Sequence, residues 1–370
     1  MNPLVELHAF GQSFWYDNIR RKFLTDGAVQ ALIDRDGLRG MTSNPTIFEG
    51  AIGGSDDYDA QIRQLADEGA DVAAIYEALA ITDIRAACDL FAPLYESSAR
   101  ADGFVSLEVS PYLARDTSGT VAEARRLFQA VGRPNLMIKV PATPEGIPAV
   151  RELIGDGVNV NITLMFNMAH YEAVAAAYID GLRRWLERGG DPRAVASVAS
   201  FFVSRVDTAV DKQLAALDAP AAAALQGKTA VANSRLVYQR FQHIFHGRTG
   251  AFAELAASGA PVQRLLWAST GTKNPAYSDT LYIDELIGPE TVTTMPPATI
   301  DAFRDHGRVG RTLEKDIDEA RLVFDRLAEL RIDVDAITEE LQIEGVAAFV
   351  KSFDSLLATI AAKRDALAEQ

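Results

Sequence analysis

The chain has 370 residues, 48% hydrophobic and 24% charged, the composition of a folded globular protein rather than a disordered one. Its 51 acidic and 36 basic residues give a formal net charge of -15, which repels nucleic acid and anionic membrane but leaves room for a small phosphorylated molecule held by a few local cations. Cys88 is the only cysteine, and the one close histidine pair, His243 and His246, lacks a carboxylate ligand pattern, so neither a disulfide nor a metal site is expected.

Residues 1–7 lack a basic n-region and a long apolar core, and no apolar run approaches a membrane span, so a soluble cytoplasmic protein is expected. Short apolar runs then alternate with longer helical patterns. Strands are predicted at 13–16, 38–43, 104–109, 136–140, 158–165, 198–203, 265–269 and 292–295. The stretch 56–101 is too long for one crossover helix and predicts several inserted helices. A capping box at Thr120-Val121-Ala122-Glu123 marks one helix start, and Thr143-Pro144-Glu145 marks another. Beyond the last strand the pattern is helical to the end, with Ile317, Ala320, Phe324 and Leu327 on one face and Phe349, Phe353, Leu356 and Ile360 on another.

Eight alternations of strand and helix favour a closed (β/α)8 TIM barrel over an open doubly wound sheet, which would want a glycine-rich phosphate turn after its first strand. A barrel core takes about 250 residues. The expectation is therefore one domain, 1–370, with 299–370 as a helical extension packed on the barrel.

Strand parity separates an apolar face from a polar one. Asn159, Asn161 and Thr163 alternate with aliphatic residues, as do Ser106 and Glu108, while Thr42 shares a face with Asn44. Helices cover the outside of a barrel, so the polar set should look inward, towards the C-terminal strand ends where barrel active sites gather. An alternating edge strand is the bland alternative. Asn44 and Asp17 can equally be helix caps, and Glu108 a surface glutamate.

Lys139 lies in Leu136-Met137-Ile138-Lys139-Val140-Pro141-Ala142, a run that reads as a buried strand. Loss of hydration disfavours an ammonium, and a neutral amine is what Schiff-base chemistry requires. Its stem can instead pack along the strand while the head reaches water. An amine among carboxylates, amides and hydroxyls, with no cofactor motif, points to carbonyl chemistry.

From about Gly11 to about Pro297 the chain resembles the transaldolase family. The resemblance is carried in order by Gly11-Gln12-Ser13-Phe14-Trp15-Tyr16-Asp17-Asn18, Thr42-Ser43-Asn44-Pro45, Ser106-Leu107-Glu108-Val109, Ile138-Lys139-Val140-Pro141-Ala142-Thr143, Asn159-Val160-Asn161-Ile162-Thr163-Leu164 and Ser200-Phe201-Phe202-Val203-Ser204-Arg205. Length and motif style are similar to the longer bacterial branch. The resemblance implies cofactor-free transfer of a dihydroxyacetone unit between sugar phosphates of the non-oxidative pentose phosphate pathway. It implies Lys139 as the Schiff-base lysine, Asp17 as the acid–base group at the broken C3–C4 bond, and Glu108 with a water held by Thr163 as the proton shuttle. Asn44 and Asn161 would hold substrate hydroxyls, with Thr42 and Ser200 beside them.

For the phosphate the resemblance implies Arg205 and Ser269. The family commonly has an arginine two residues after that serine, where this chain has Gly271, so Lys273 is the candidate second cation. Arg205 can alternatively pair with Asp207 on the surface. An aldolase that releases its product, of the fructose 6-phosphate or deoxyribose-phosphate type, stays open, although a tyrosine would favour it where this chain has Glu108. A barrel reduced to a binding scaffold also stays open. Neither a nucleic-acid nor a membrane partner is expected, and the chain is taken as monomer or homodimer.

Overall fold

Every predicted strand forms. They are β1 (Gln12–Asp17), β2 (Gly40–Thr42), β3 (Phe104–Glu108), β4 (Leu136–Pro141), β5 (Val160–Met165), β6 (Ser197–Phe202), β7 (Arg264–Ala268) and β8 (Thr291–Met295). Each pairs in parallel with its neighbours in sequence order, and β8 returns to β1 to close the barrel. The structure, a computed structural model, describes residues 2–217, 219–247 and 249–368. Residues 1, 218, 248, 369 and 370 of the expected domain therefore lie outside the described residues.

The parity read from the sequence is the parity of the barrel. Tyr16, Val105, Leu107, Ile138, Val140, Ile162, Ala199, Phe201, Leu265 and Trp267 belong to the large core beneath the helices. Trp15, Phe104, Met137, Val198, Leu266 and Val292 form a separate cluster with Tyr95, one inner layer drawn from six strands. Moving two residues along each strand from that layer reaches Asp17, Ser106, Lys139, Ser200, Ala268 and Thr294 on the same face. The barrel is thus plugged with apolar side chains below and turns polar above. Gly40 is required here, because a β-carbon would sit 2.6 Å from the Trp15 indole.

Between β2 and β3 lie three helices, Pro45–Gly53, Asp59–Asp67 and Val72–Ser97, the last two of them in the stretch 56–101 where inserted helices are expected. The helix start expected at Thr143-Pro144-Glu145 lies later: the helix begins at Gly146 behind Glu145, and Thr143 and Pro144 form the turn before it, where Thr143 Oγ1 accepts the Gly146 N–H at 3.0 Å. The capping box at Thr120 is a correction. That helix starts at Thr117 behind an Asp116 cap, which leaves Thr120 inside it, donating to the Leu113 carbonyl at 2.9 Å. Glu123 instead accepts the Ser110 N–H. A strong asparaginyl or aspartyl cap one turn earlier outcompetes the threonine.

After β8 come helices Pro297–His306, Ile317–Glu329 and Val334–Ala368. The last spans 35 residues, about 50 Å at the usual rise. One 18-residue window in it has a mean hydropathy of 1.4, enough by composition to cross a bilayer, contrary to the expectation that no run approached this. Its Phe349, Phe353, Leu356 and Ile360 are nevertheless buried against the protein, and it packs on helices Pro45–Gly53, Asp59–Asp67, Val72–Ser97 and Ser204–Ala216. The apolar face serves the core of the fold.

Candidate active site

Parallel pairing in register brings the polar residues together. Asp17 pairs with Thr42, Glu108 with Lys139, Lys139 with Asn161, and Pro141 with Thr163. The result is a cavity of about 190 Å³ at the C-terminal mouth of the barrel. Asp17, Thr42, Asn44, Lys139, Thr163, Ser200, Arg205, Ser269 and Lys273 all line it. Of the expected site residues, Glu108 and Asn161 do not line it, although both pair in register with Lys139.

Lys139 is buried, only 6% exposed. Its Nζ donates to the Ser43 carbonyl at 3.2 Å and lies 3.6 Å from Glu108 Oε2, an ion contact just beyond hydrogen-bond reach. The Phe349 ring is 5.7 Å from the same nitrogen. Burial pushes the Glu108 carboxyl above its ordinary value; Lys139 pulls it down and Asp17 pushes it up, with burial the largest of the three. A carboxyl raised in this way holds its proton more tightly than a free one, which suits it to proton transfer. Thr163 Oγ1 is buried with no hydrogen-bond partner among the described residues, free to hold a water or a substrate oxygen.

Asp17 is not a helix cap: the helix that follows starts at Arg21 without side-chain capping, and Asp17 Oδ1 instead accepts the Thr42 hydroxyl at 2.7 Å. Asn44 is both cap and cavity wall. Its Oδ1 accepts the Ile47 N–H at 3.0 Å, the expected cap before Pro45. Asn161 is locked in an inner chain in which its Nδ2 donates to Ser106 Oγ at 3.0 Å and its Oδ1 accepts from Ser200 Oγ at 2.6 Å. That chain fixes the amide's orientation. Asn159, counted with the polar set from the sequence, belongs elsewhere. It donates to the Pro134 and Leu136 carbonyls and accepts from Ala196, tying strand starts together below the site.

Arg205 sits in the first turn of helix Ser204–Ala216, over the Phe202 ring at 5.3 Å. It makes no ion pair among the described residues; Asp207 turns away to accept from Ala230 and Tyr282. Burial lowers the guanidinium's pKa, partly offset by Glu344. A half-buried, unpaired guanidinium facing a cavity is a ready anion site. Ser269 has φ 55°, and its hydroxyl lies 2.9 Å from Oγ of Ser204, the residue before Arg205. Lys273 is exposed at the rim, and a β-carbon on Gly271 would meet nothing closer than 3.6 Å.

Sequence reasoning missed Phe202 and Phe349, which wall the cavity. Phe202 was within reach, being two residues beyond Ser200 on one strand face; Phe349 came from a helix whose docking no local pattern revealed. A second cavity of about 300 Å³ lies behind Glu108, among Phe48, Tyr76, Phe353 and Leu357.

A buried amine beside a raised carboxyl, with a second carboxylate across the cavity and a cation at its rim, defines a barrel enzyme built for Schiff-base chemistry on an anionic carbonyl compound. Residues 14–360 match the family described as Transaldolase/Fructose-6-phosphate aldolase. The chain is 50% identical over 360 residues to the transaldolase of Thiobacillus denitrificans, covering 97% of this chain and 100% of that one. It is 48% identical over 361 residues to the transaldolase of Frankia alni, covering 97% of each, and 45% identical over 372 residues to that of Trichodesmium erythraeum, covering 98% and 97%. The chain belongs to the transaldolase/fructose-6-phosphate aldolase family.

Proposed function

We propose that this chain moves a dihydroxyacetone unit from sedoheptulose 7-phosphate to glyceraldehyde 3-phosphate, giving erythrose 4-phosphate and fructose 6-phosphate. The observation that carries the reading is the Lys139 amine, buried 3.6 Å from Glu108 in the barrel mouth that Asp17 also faces. In this reading Lys139 attacks the donor ketone. Glu108, with a water on Thr163, protonates the departing hydroxyl of the carbinolamine and leaves an iminium. Asp17 takes the C4 hydroxyl proton as the C3–C4 bond breaks, and the electron pair moves into the iminium as an enamine. Asn44, Asn161, Thr42 and Ser200 hold hydroxyls of the three-carbon unit, and Arg205, Ser269 and Lys273 receive the phosphate. The acceptor aldehyde then reverses these steps, and Asp17 returns its proton to the new alcohol.

The whole chain acts as one barrel domain whose C-terminal helices complete the mouth, working in the cytoplasm as monomer or homodimer. Reduction with borohydride in the presence of fructose 6-phosphate, followed by peptide mass mapping, tests the lysine. The expected adduct lies on the peptide containing Lys139; an adduct elsewhere, or none, overturns the assignment. The family also contains aldolases. Turnover of the donor that proceeds equally well without acceptor aldehyde would favour cleavage over transfer.

A further inference from the structure

β5 is not a regular strand. Ile162 pairs with Ala199 and Met165 with Phe201, so three steps on β5 oppose two on β6. The extra residue is a bulge, and Leu164 takes it up with φ 62°, a left-handed conformation that a branched side chain resists. Leu164 directly follows Thr163, whose hydroxyl is buried without a hydrogen-bond partner among the described residues and whose side chain lines the cavity. Such a strained residue persists only where its surroundings over-determine it.

Those surroundings come from the far end of the chain. Gln342, buried on helix Val334–Ala368, donates through Nε2 to the Leu164 carbonyl and to the Ala142 carbonyl, each at 3.0 Å. Both hydrogens of one NH2 group are thus used, one on each of two neighbouring strand ends. The Ala142 N–H in turn donates to the Thr163 carbonyl at 2.7 Å. Ala142 lies three residues beyond Lys139, so one amide clamps the ends of the strands that carry the amine and the hydroxyl. Gly345, one turn on, admits the close approach: a β-carbon there would lie 2.9 Å from Leu164 Cδ2.

We propose that Gln342 is a positioning residue for catalysis, holding the bulge at Leu164 so that Thr163 and Lys139 keep their spacing. The proposal rests on the roles assigned above to those two residues. Gln342→Met keeps the length of the side chain and removes both donors. The expected result is a loss in kcat of about a hundredfold, the usual cost of misplacing groups by an ångström, with KM within about twofold. Borohydride trapping at Lys139 should slow in parallel. Gln342→Glu offers a carboxylate that cannot donate; protonated, it regains one bond, so its kcat should recover as pH falls while that of Gln342→Met does not.

A folded Gln342→Met enzyme with kcat within twofold of the parent overturns the proposal. So does a Gln342→Glu profile that follows that of Gln342→Met at every pH, which decides the matter even where Gln342→Met fails to fold. Failure of the underlying site reading looks different, because the adduct in the parent protein would then map away from Lys139.

Discussion

Replacing Lys139 by Met removes the amine and leaves Glu108 buried without its cation. Breaking a buried pair costs about 3–5 kcal/mol when the orphaned charge must stay ionised. Glu108 has an escape, which is to take up a proton. Relative to its ordinary value of 4.5, the cost of doing so is about 3.4 kcal/mol at pH 7 and about 0.7 kcal/mol at pH 5. The sign follows from linkage. A carboxyl raised in the folded state binds protons that the unfolded chain has released, so stability is fully present below 4.5 and falls as pH rises towards the folded value. The parent shares this slope, but Lys139 restrains it by pulling the carboxyl down. The stability gap between parent and Lys139→Met should therefore widen from pH 5 to pH 7, approaching about 3 kcal/mol at most, while the variant gives no reduced adduct. Urea unfolding at several pH values measures the gap. A gap that stays constant across this range would show that Glu108 does not depend on Lys139, and the pairing at the centre of the site would be wrong.

Asp17→Asn should impair carbon–carbon cleavage more than formation of the trapped adduct, and equal loss of both would contradict separate roles for Asp17 and Glu108. Arg205→Ala should raise KM for phosphorylated donors about tenfold to a hundredfold, the value of one charge-assisted hydrogen bond, while leaving an unphosphorylated ketose unaffected. Gly271→Arg adds a second guanidinium where the backbone admits a β-carbon, and steady-state kinetics should show a lower KM for the same donors. Asp102 joins Arg39 at 2.5 Å and Arg264 at 3.0 Å below the barrel. Burial pushes its carboxyl up, but the two arginines outweigh this and hold it below its ordinary value. Its contribution is present above 3.8 and is lost as pH falls through the folded value, so Asp102→Asn should cost about 3–5 kcal/mol near neutral pH and much less in acid, as read by urea unfolding.

The barrel was legible because its two rules are local. Runs of aliphatic residues marked the strands, and period-two alternation told inside from outside; Lys139 with Met137, against Ile138 and Val140, illustrates both. Part of the site was legible for the same reason, since parity set Thr42, Ser106, Glu108, Lys139, Asn161 and Thr163 apart from their aliphatic neighbours, whereas Asp17 and Ser200 were pointed to only by the family resemblance. Parity alone failed for Asn159, which lies on the right face but at the wrong height, where it serves strand starts. Thr120 failed because a capping motif cannot tell whether a better cap stands one turn earlier. Gln342 left no sign in the sequence, and Phe349 showed only as one residue of an apolar helix face, with nothing to say that it meets the site. Each does its work across a sequence separation that only the packed structure closes: Gln342 reaches Ala142 over 200 residues and Leu164 over 178.

That distance has a temporal meaning. During synthesis all eight strands emerge before helix Val334–Ala368, so a nascent barrel can pair its sheet while the kink after Thr163 still lacks its brace. Ser352 and Ser355 of the same helix also bind Thr46 and Glu49, beside Asn44, so the final segment ties down two sides of the mouth at once. A chain that ends before residue 342 lacks both of the hydrogen bonds that tie Ala142 and Leu164 to the last helix.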